Sequence, residues 1–144
     1  MRVSSRTEYA LRTVVDLAAR VQEGLCRSAD IARRQNIPAK FLEQILLVLK
    51  GAGIVESRRG ARGGYCLALP ASRITVASIV RLTEEGLSPV PTRGAGLGRE
   101  ESAFADIWAD LHADIERKLE SVTIQELSER QAARSPAAGS GYVI

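Results

Sequence analysis

A glycine-rich segment between two short apolar runs constrains the fold of this chain more than any other feature. Residues 59–64 read Arg-Gly-Ala-Arg-Gly-Gly, and strand-like runs precede and follow them at 54–58 and 65–69. Glycines let the backbone turn sharply, and runs rich in apolar residues on either side of such a turn are typical of a β-hairpin. The segment therefore predicts a hairpin whose tip carries arginines and which ends at Pro70.

Three helices are predicted before the hairpin. Ser5 and Glu8 have the spacing of a helix-capping pair, Ser28 is a suitable cap for a short second helix, and the third begins at Pro38 and ends at Gly51. The third helix has aliphatic residues at three- and four-residue steps, which predicts that one face is buried. That face consists of Leu42, Ile45, Leu46 and Leu49.

This order of elements is that of a winged helix-turn-helix. We expect a mainly α fold with a small β-hairpin wing over residues 1–73. Residues 74–130 are predicted to form a helical dimerisation or regulatory region that includes one long helix. Residues 131–144 have the composition of a flexible tail.

The long helix carries an apolar stripe with little else in the second half of the chain to pack against it. A homodimer in which two such helices pack together would cover the stripe. We therefore predict dimerisation through Phe104, Ile107, Trp108, Leu111, Ile115 and Leu119.

Charge is divided unevenly along the chain, whose net charge is +3. Residues 1–73 hold 13 basic and 6 acidic residues, whereas residues 74–144 hold 7 basic and 11 acidic residues. The two parts therefore carry +7 and −4. A basic module joined to an acidic one is typical of a protein whose first part binds a polyanion.

The third helix and the hairpin supply the side chains for such binding. In the major groove of DNA, Lys40, Glu43 and Gln44 would reach base edges. Arginines at the hairpin tip suit phosphates or a narrow minor groove, and the candidates are Arg58, Arg59 and Arg62. Further backbone contacts are expected from Arg2, Arg6, Arg33 and Arg34. The alternative is that all of these are solvated charges on an ordinary helical domain.

Several other classes of protein are disfavoured. No apolar run approaches the roughly 20 residues of a membrane span, so we expect a soluble, cytoplasmic protein. Two cysteines and one histidine argue against a disulfide framework and an ordinary zinc site. The chain has no nucleophile–base pair and no phosphate loop followed by a helix, so we do not expect an enzyme.

Four motifs together resemble the Rrf2 family of bacterial winged-helix repressors. They are Tyr9-Ala10-Leu11, Phe41-Leu42-Glu43-Gln44, the run from Leu49 to Val55, and the wing from Arg59 to Leu67. The resemblance implies a dimeric repressor in which the helix bearing Phe41 and Glu43 reads the major groove and the region of Arg59 enters the minor groove. Lys40 departs from the small or polar residue that is common in the family at that position.

Many members of this family hold an iron–sulfur cluster through three cysteines in the loop before the long helix. Here the corresponding loop, residues 91–98, has no cysteine, and His112 has none within sequence reach. We therefore predict no cluster, no metal and no other cofactor. A thiol switch stays open at Cys26, because Arg27 and a following helix start would both lower a thiol pKa. We expect Cys66 to be a packed residue of the wing.

The final residues Tyr142, Val143 and Ile144 follow a polar, glycine- and alanine-rich stretch. They resemble the terminal peptide by which serine acetyltransferases enter the active site of O-acetylserine sulfhydrylase, the cysteine synthase. The cluster-free cysteine-metabolism repressors of the family likewise use that enzyme as co-repressor. We predict a repressor of cysteine and sulfur metabolism genes that cysteine synthase modulates through the tail. The alternative is an iron–sulfur or thiol-based redox regulator of the same family.

Overall fold

The structure, a computed structural model, describes residues 3–84 and 103–134. Within these ranges it confirms a mainly α fold with a two-stranded antiparallel hairpin. The helices are α1 (Ser5–Ala19), α2 (Ser28–Gln35), α3 (Ala39–Gly51), α4 (Val76–Thr83), α5 (Ala103–Ser121) and α6 (Ile124–Arg134). The strands are β1 (Val55–Arg58) and β2 (Gly64–Leu67). Outside the described residues lie three parts of the chain that the predictions name: Arg2, the loop of residues 91–98, and the residues Tyr142, Val143 and Ile144.

The first helix begins with a different cap from the one predicted. Ser4 is the cap residue, and its hydroxyl accepts a hydrogen bond from the Thr7 amide at 3.2 Å. The prediction that Ser5 caps the helix was therefore wrong, since Ser5 is already helical. The capping geometry requires an extended backbone at the cap residue, which Ser4 provides with φ −71° and ψ 158°.

The aliphatic face predicted for α3 is confirmed. Leu42, Ile45, Leu46 and Leu49 are each at most 1% exposed. Their core also contains Ile79 of α4 and Ile124 of α6. One hydrophobic core therefore includes residues on both sides of position 73. The boundary between a DNA-binding part and a dimerisation part at that position stays a prediction about function.

The last helix is longer than the sequence indicated. Its start is tied to α4 by two backbone hydrogen bonds, from the Val76 amide to the Val122 carbonyl at 2.9 Å and from the Ile124 amide to the Ile74 carbonyl at 2.8 Å. The helix then continues to Arg134, so the prediction of a flexible tail from residue 131 was wrong for residues 131–134. Their Gln-Ala-Ala-Arg sequence favours a helix, and no helix-breaking residue precedes Pro136.

A buried carboxylate fixes α2 against α1. The side chain of Asp16 accepts from Arg34 through both oxygens, at 3.1 Å and 2.7 Å, and from the Gln35 amide group at 3.0 Å. A two-point pair of this kind restrains orientation as well as distance, because the guanidinium and carboxylate planes must match. Arg34 is therefore engaged within the protein, which argues against its predicted role as a phosphate contact.

The long helix α5 has no fully buried side chain. Phe104, Ile107 and Leu111 are 67%, 57% and 42% exposed, and the other three residues of the predicted stripe, Trp108, Ile115 and Leu119, are half-buried. Between α4 and α5, the Arg81 guanidinium donates hydrogen bonds to the carboxylates of Glu116 and Glu120 at 2.8 Å and 2.9 Å. Within residues 3–84 and 103–134, no helix has the length and apolar character needed to cross a membrane.

Candidate nucleic-acid interface

The outward face of α3 carries Lys40, Glu43 and Gln44, and all three side chains are exposed. They lie opposite the buried aliphatic face because an α-helix advances by 3.6 residues per turn. Pro38 precedes the helix and provides its first accepting carbonyl, to the Leu42 amide at 3.0 Å. The helix therefore presents these three polar side chains together on one solvent-facing surface.

Phe41 lies at the margin of this surface. Its ring is 47% exposed and meets the Tyr9 ring edge-on, with the centroids 6.0 Å apart and the planes at 72°. The guanidinium carbon of Arg12 lies over the Tyr9 ring, 5.9 Å from the ring centre. Phe41 therefore packs against α1 through Tyr9, a role that the sequence did not predict.

The wing extends from the same core as α3. Val55 pairs with Leu67 at its base and Arg58 pairs with Gly64 near its tip. Arg58, Arg59 and Arg62 are all exposed. Gly60 adopts φ +110°, in the region that favours glycine, so the turn between the strands depends on it. The structure thus groups the three predicted arginines at one exposed tip.

The wing is also bound to the connection between α1 and α2. The Cys26 amide donates to the Tyr65 carbonyl at 2.8 Å, and the Tyr65 amide donates back to the Cys26 carbonyl at 2.7 Å. Arg27 adds a hydrogen bond from its guanidinium to the Ala61 carbonyl at the tip. These contacts could not be predicted from the sequence, because they join residues more than thirty positions apart.

The environment of Cys26 differs from the one predicted. Cys26 is 7% exposed, and burial raises the pKa of its thiol from the ordinary value, while the nearby Arg34 acts in the opposite direction. The predicted lowering by Arg27 was wrong, because the Arg27 guanidinium binds the wing tip instead. A buried thiol with a raised pKa contains little of the reactive thiolate at neutral pH.

Cys66 lies on the wing opposite Glu56 and is half-buried. Its thiol donates to a Glu56 carboxylate oxygen at 3.4 Å. Burial and this carboxylate both raise the pKa of the Cys66 thiol. The two cysteines of the chain are therefore both held in their protonated form.

Comparisons with known proteins identify the family that has this architecture. Residues 3–130 match the model of the Rrf2 family, described as iron-dependent transcriptional regulators. The chain belongs to the Rrf2 family. The HTH-type transcriptional regulator CymR of Bacillus subtilis is 34% identical over 128 residues, which cover 89% of this chain and 90% of CymR. The regulator IscR of Xenorhabdus nematophila is 35% identical over 133 residues, which cover 91% of this chain and 81% of IscR.

A solved structure supports the same assignment. The structure of CymR, the global cysteine regulator of Bacillus subtilis, superposes with a TM-score of 0.79 at 31% identity, covering 90% of this chain and 98% of CymR. The chain is thus a transcriptional regulator of the Rrf2 family with a winged helix-turn-helix. The individual roles of Lys40, Glu43, Gln44 and the wing arginines stay predictions.

The two cysteines of this Rrf2 regulator are fewer than the thiolates that hold most iron–sulfur clusters. Such clusters are held mainly by cysteine thiolates, with histidine as an occasional replacement. The chain has one histidine, on α5, and two cysteines. Both cysteines lie in the winged helix-turn-helix of residues 1–73, which we call the head. Nδ1 of His112 is buried without a hydrogen-bond partner. However, across the two described ranges no three His, Cys, Asp or Glu side chains lie together in a way that could hold a metal ion.

A substitution at Gly64 tests how closely the wing approaches Cys26, the residue that forms two backbone hydrogen bonds with Tyr65. A Cβ atom at Gly64 would lie 2.6 Å from the Cys26 carbonyl oxygen, on a backbone with φ +151°. We expect Gly64→Ala to lower the free energy of unfolding by about 2 kcal/mol, because the wing must move away from the bridge. Denaturant unfolding measures the change. Gly51→Ala is the matched control, since nothing lies within 4 Å of a Cβ there. Equal stabilities for the two variants would contradict the close approach.

Proposed function

We propose that this Rrf2 regulator is a homodimeric repressor of cysteine and sulfur metabolism genes that binds double-stranded DNA through α3 and the wing. The observation that carries the DNA-binding part is the joint placement of an exposed polar helix face and an arginine-bearing wing. Both are attached to one core, and the bridge at Cys26 holds the wing against the helical head.

The chemistry of the α3 face suits the major groove. A helix of about 10–12 Å diameter enters a groove about 12 Å wide. Glu43 then accepts a hydrogen bond from a cytosine amino group, Gln44 pairs with adenine, and Lys40 donates to guanine. The wing arginines bind phosphates or the narrow minor groove of an A/T-rich stretch, where the negative potential is enhanced.

The wing contact is tested with Arg59→Ala. We expect weaker operator binding and a smaller dependence on salt, with the slope of log K against log salt reduced by about 1, because one phosphate neutralisation is lost. Fluorescence anisotropy titrations between low and physiological salt measure both quantities. Arg130→Ala is the control, since Arg130 lies on α6 and pairs with Glu126. An unchanged slope in Arg59→Ala would exclude Arg59 from the interface.

The dimer is proposed to form through α5. A 19-residue helix is about 28 Å long, and this one exposes Phe104, Ile107 and Leu111 along its length. A row of three large, exposed apolar side chains along one helix suits an interface between two copies of this chain. A symmetric dimer would bury it and would place two α3 helices on two half-sites, as two-fold DNA-binding proteins require.

The dimer is tested with Ile107→Glu. We expect a monomer at concentrations where the unchanged protein is a dimer, because the interface would have to bury a carboxylate at its centre. Sedimentation velocity measures the mass. Ala113→Glu adds the same charge at an exposed position on the other side of α5 and should leave the dimer intact. Dimers of normal affinity in Ile107→Glu would contradict the proposed interface.

The cysteine-specific role is supported by the similarity to CymR and by a sequence with only two cysteines. We propose that Tyr142, Val143 and Ile144 bind the active site of cysteine synthase. The side chains of these three residues would enter a pocket of the enzyme. By linkage, an enzyme that favours the DNA-bound form strengthens repression, and acetylserine that competes for the enzyme's site relieves it.

Removing Ile144 tests this partner. We expect the shortened protein to lose binding to purified cysteine synthase, while its affinity for operator DNA alone stays within twofold, because the proposed DNA interface consists of α3 and the wing. Calorimetry measures the first quantity and anisotropy the second. O-acetylserine should displace the unchanged protein from the enzyme. Full enzyme binding by the shortened protein would contradict the proposal.

The redox alternative rests on one observation in this chain. The thiol of Cys26 lies beside Arg34, whose pairing with Asp16 fixes α2. Oxidation of the thiol would disturb that pair and with it the DNA-reading helices. The test compares operator binding before and after peroxide treatment. This alternative would replace the first if peroxide abolished binding by the unchanged protein but not by Cys26→Ser, and if cysteine synthase had no effect on binding.

A further inference from the structure

The outward face of α3 contains one apolar side chain that the core does not use. Leu47 is 71% exposed, the largest value among the big apolar side chains of the described residues. Its helical neighbours Ile45, Leu46 and Leu49 are almost completely buried. The fold therefore gains little from a leucine at this position.

Leu47 belongs to the same surface as the polar residues proposed to read DNA. Each residue of an α-helix is rotated by about 100° from the one before it, so Leu47 points within about 60° of Lys40, Glu43 and Gln44. The buried residues of α3 point about 100–160° away from it. Along the helix axis Leu47 lies about 4.5 Å beyond Gln44, a little more than the separation of adjacent base pairs.

The surroundings of Leu47 decide what kind of ligand suits it. Its neighbours on this face are charged and polar, including Lys40 before it and the exposed Lys50 after it, while the half-exposed Phe41 points about 120° away around the helix. The major groove offers the complementary pattern, since the thymine 5-methyl group is an apolar point between hydrogen-bonding base edges and phosphates. A protein partner would instead require a contiguous apolar patch, which this face does not provide.

We propose that Leu47 contacts the 5-methyl group of a thymine in each operator half-site and determines the base preference there. The thymine lies one or two base pairs beyond the one that Gln44 contacts. This inference rests on the proposed DNA-binding function and adds a specificity-determining residue to it. Leu47 distinguishes thymine from cytosine and from uracil, because both lack the methyl group.

The experiment removes the methyl group and the leucine separately. An operator is first selected from a random-sequence DNA pool with the unchanged protein, and each of its thymines is then replaced in turn by deoxyuridine. At one position in each half-site we expect the substitution to weaken binding roughly fourfold, the worth of one buried methyl-sized group. Leu47→Ala should bind the thymine and deoxyuridine forms equally at that position, since alanine keeps the helix but does not reach the methyl group.

The matched control is Val21→Ala, which shortens another exposed apolar side chain, 63% exposed, off α3. It should keep the full difference between thymine and deoxyuridine. The proposal is overturned if no thymine of the selected operator shows the effect, or if Leu47→Ala keeps it. A pool that yields no selected sequence overturns the proposed DNA-binding function itself, which separates the two failures.

Discussion

The two backbone hydrogen bonds between Cys26 and Tyr65 determine how the wing lies against the helical head. They join the α1–α2 connection to β2 at 2.8 Å and 2.7 Å, and they exist only because Gly64 lets the two main chains approach. A two-stranded hairpin alone is marginally stable in water. Held by this bridge and by the Arg27 contact at its tip, the wing is a fixed part of the head. The proposed DNA binding, with α3 in the major groove and the wing on phosphates or in the minor groove, depends on that fixed geometry.

The second support of the head is the buried Asp16. Its carboxylate binds Arg34 at two points and Gln35 at a third, so the short helix α2 is oriented by hydrogen bonds as well as by its one buried residue, Ile31. A buried ion pair of this kind adds little net stability, because its attraction only offsets a large desolvation cost. The nearby thiol of Cys26 shares this environment, which connects the redox alternative to the geometry of the head.

Local patterns predicted most of the elements. The aliphatic steps of α3 predicted its buried face, and the glycines around residue 60 predicted the hairpin, because helical periodicity and turn preferences act over a few residues. Boundaries were less predictable. The cap of α1 is Ser4 and not Ser5, and α6 continues past residue 131, since packing and the choice among neighbouring caps decide where a helix begins and ends.

The sequence by itself determined the order of the elements, the basic character of the head and the small number of thiols available as ligands, because these depend only on residue identity and spacing. Only the tertiary structure decided that Arg27 binds the wing tip, that Arg34 is engaged by Asp16 and that burial raises the pKa of Cys26. It likewise showed Leu47 exposed on the outward face of α3. Contacts between distant residues, and the desolvation they cause, arise from packing in three dimensions and leave no local pattern in the chain.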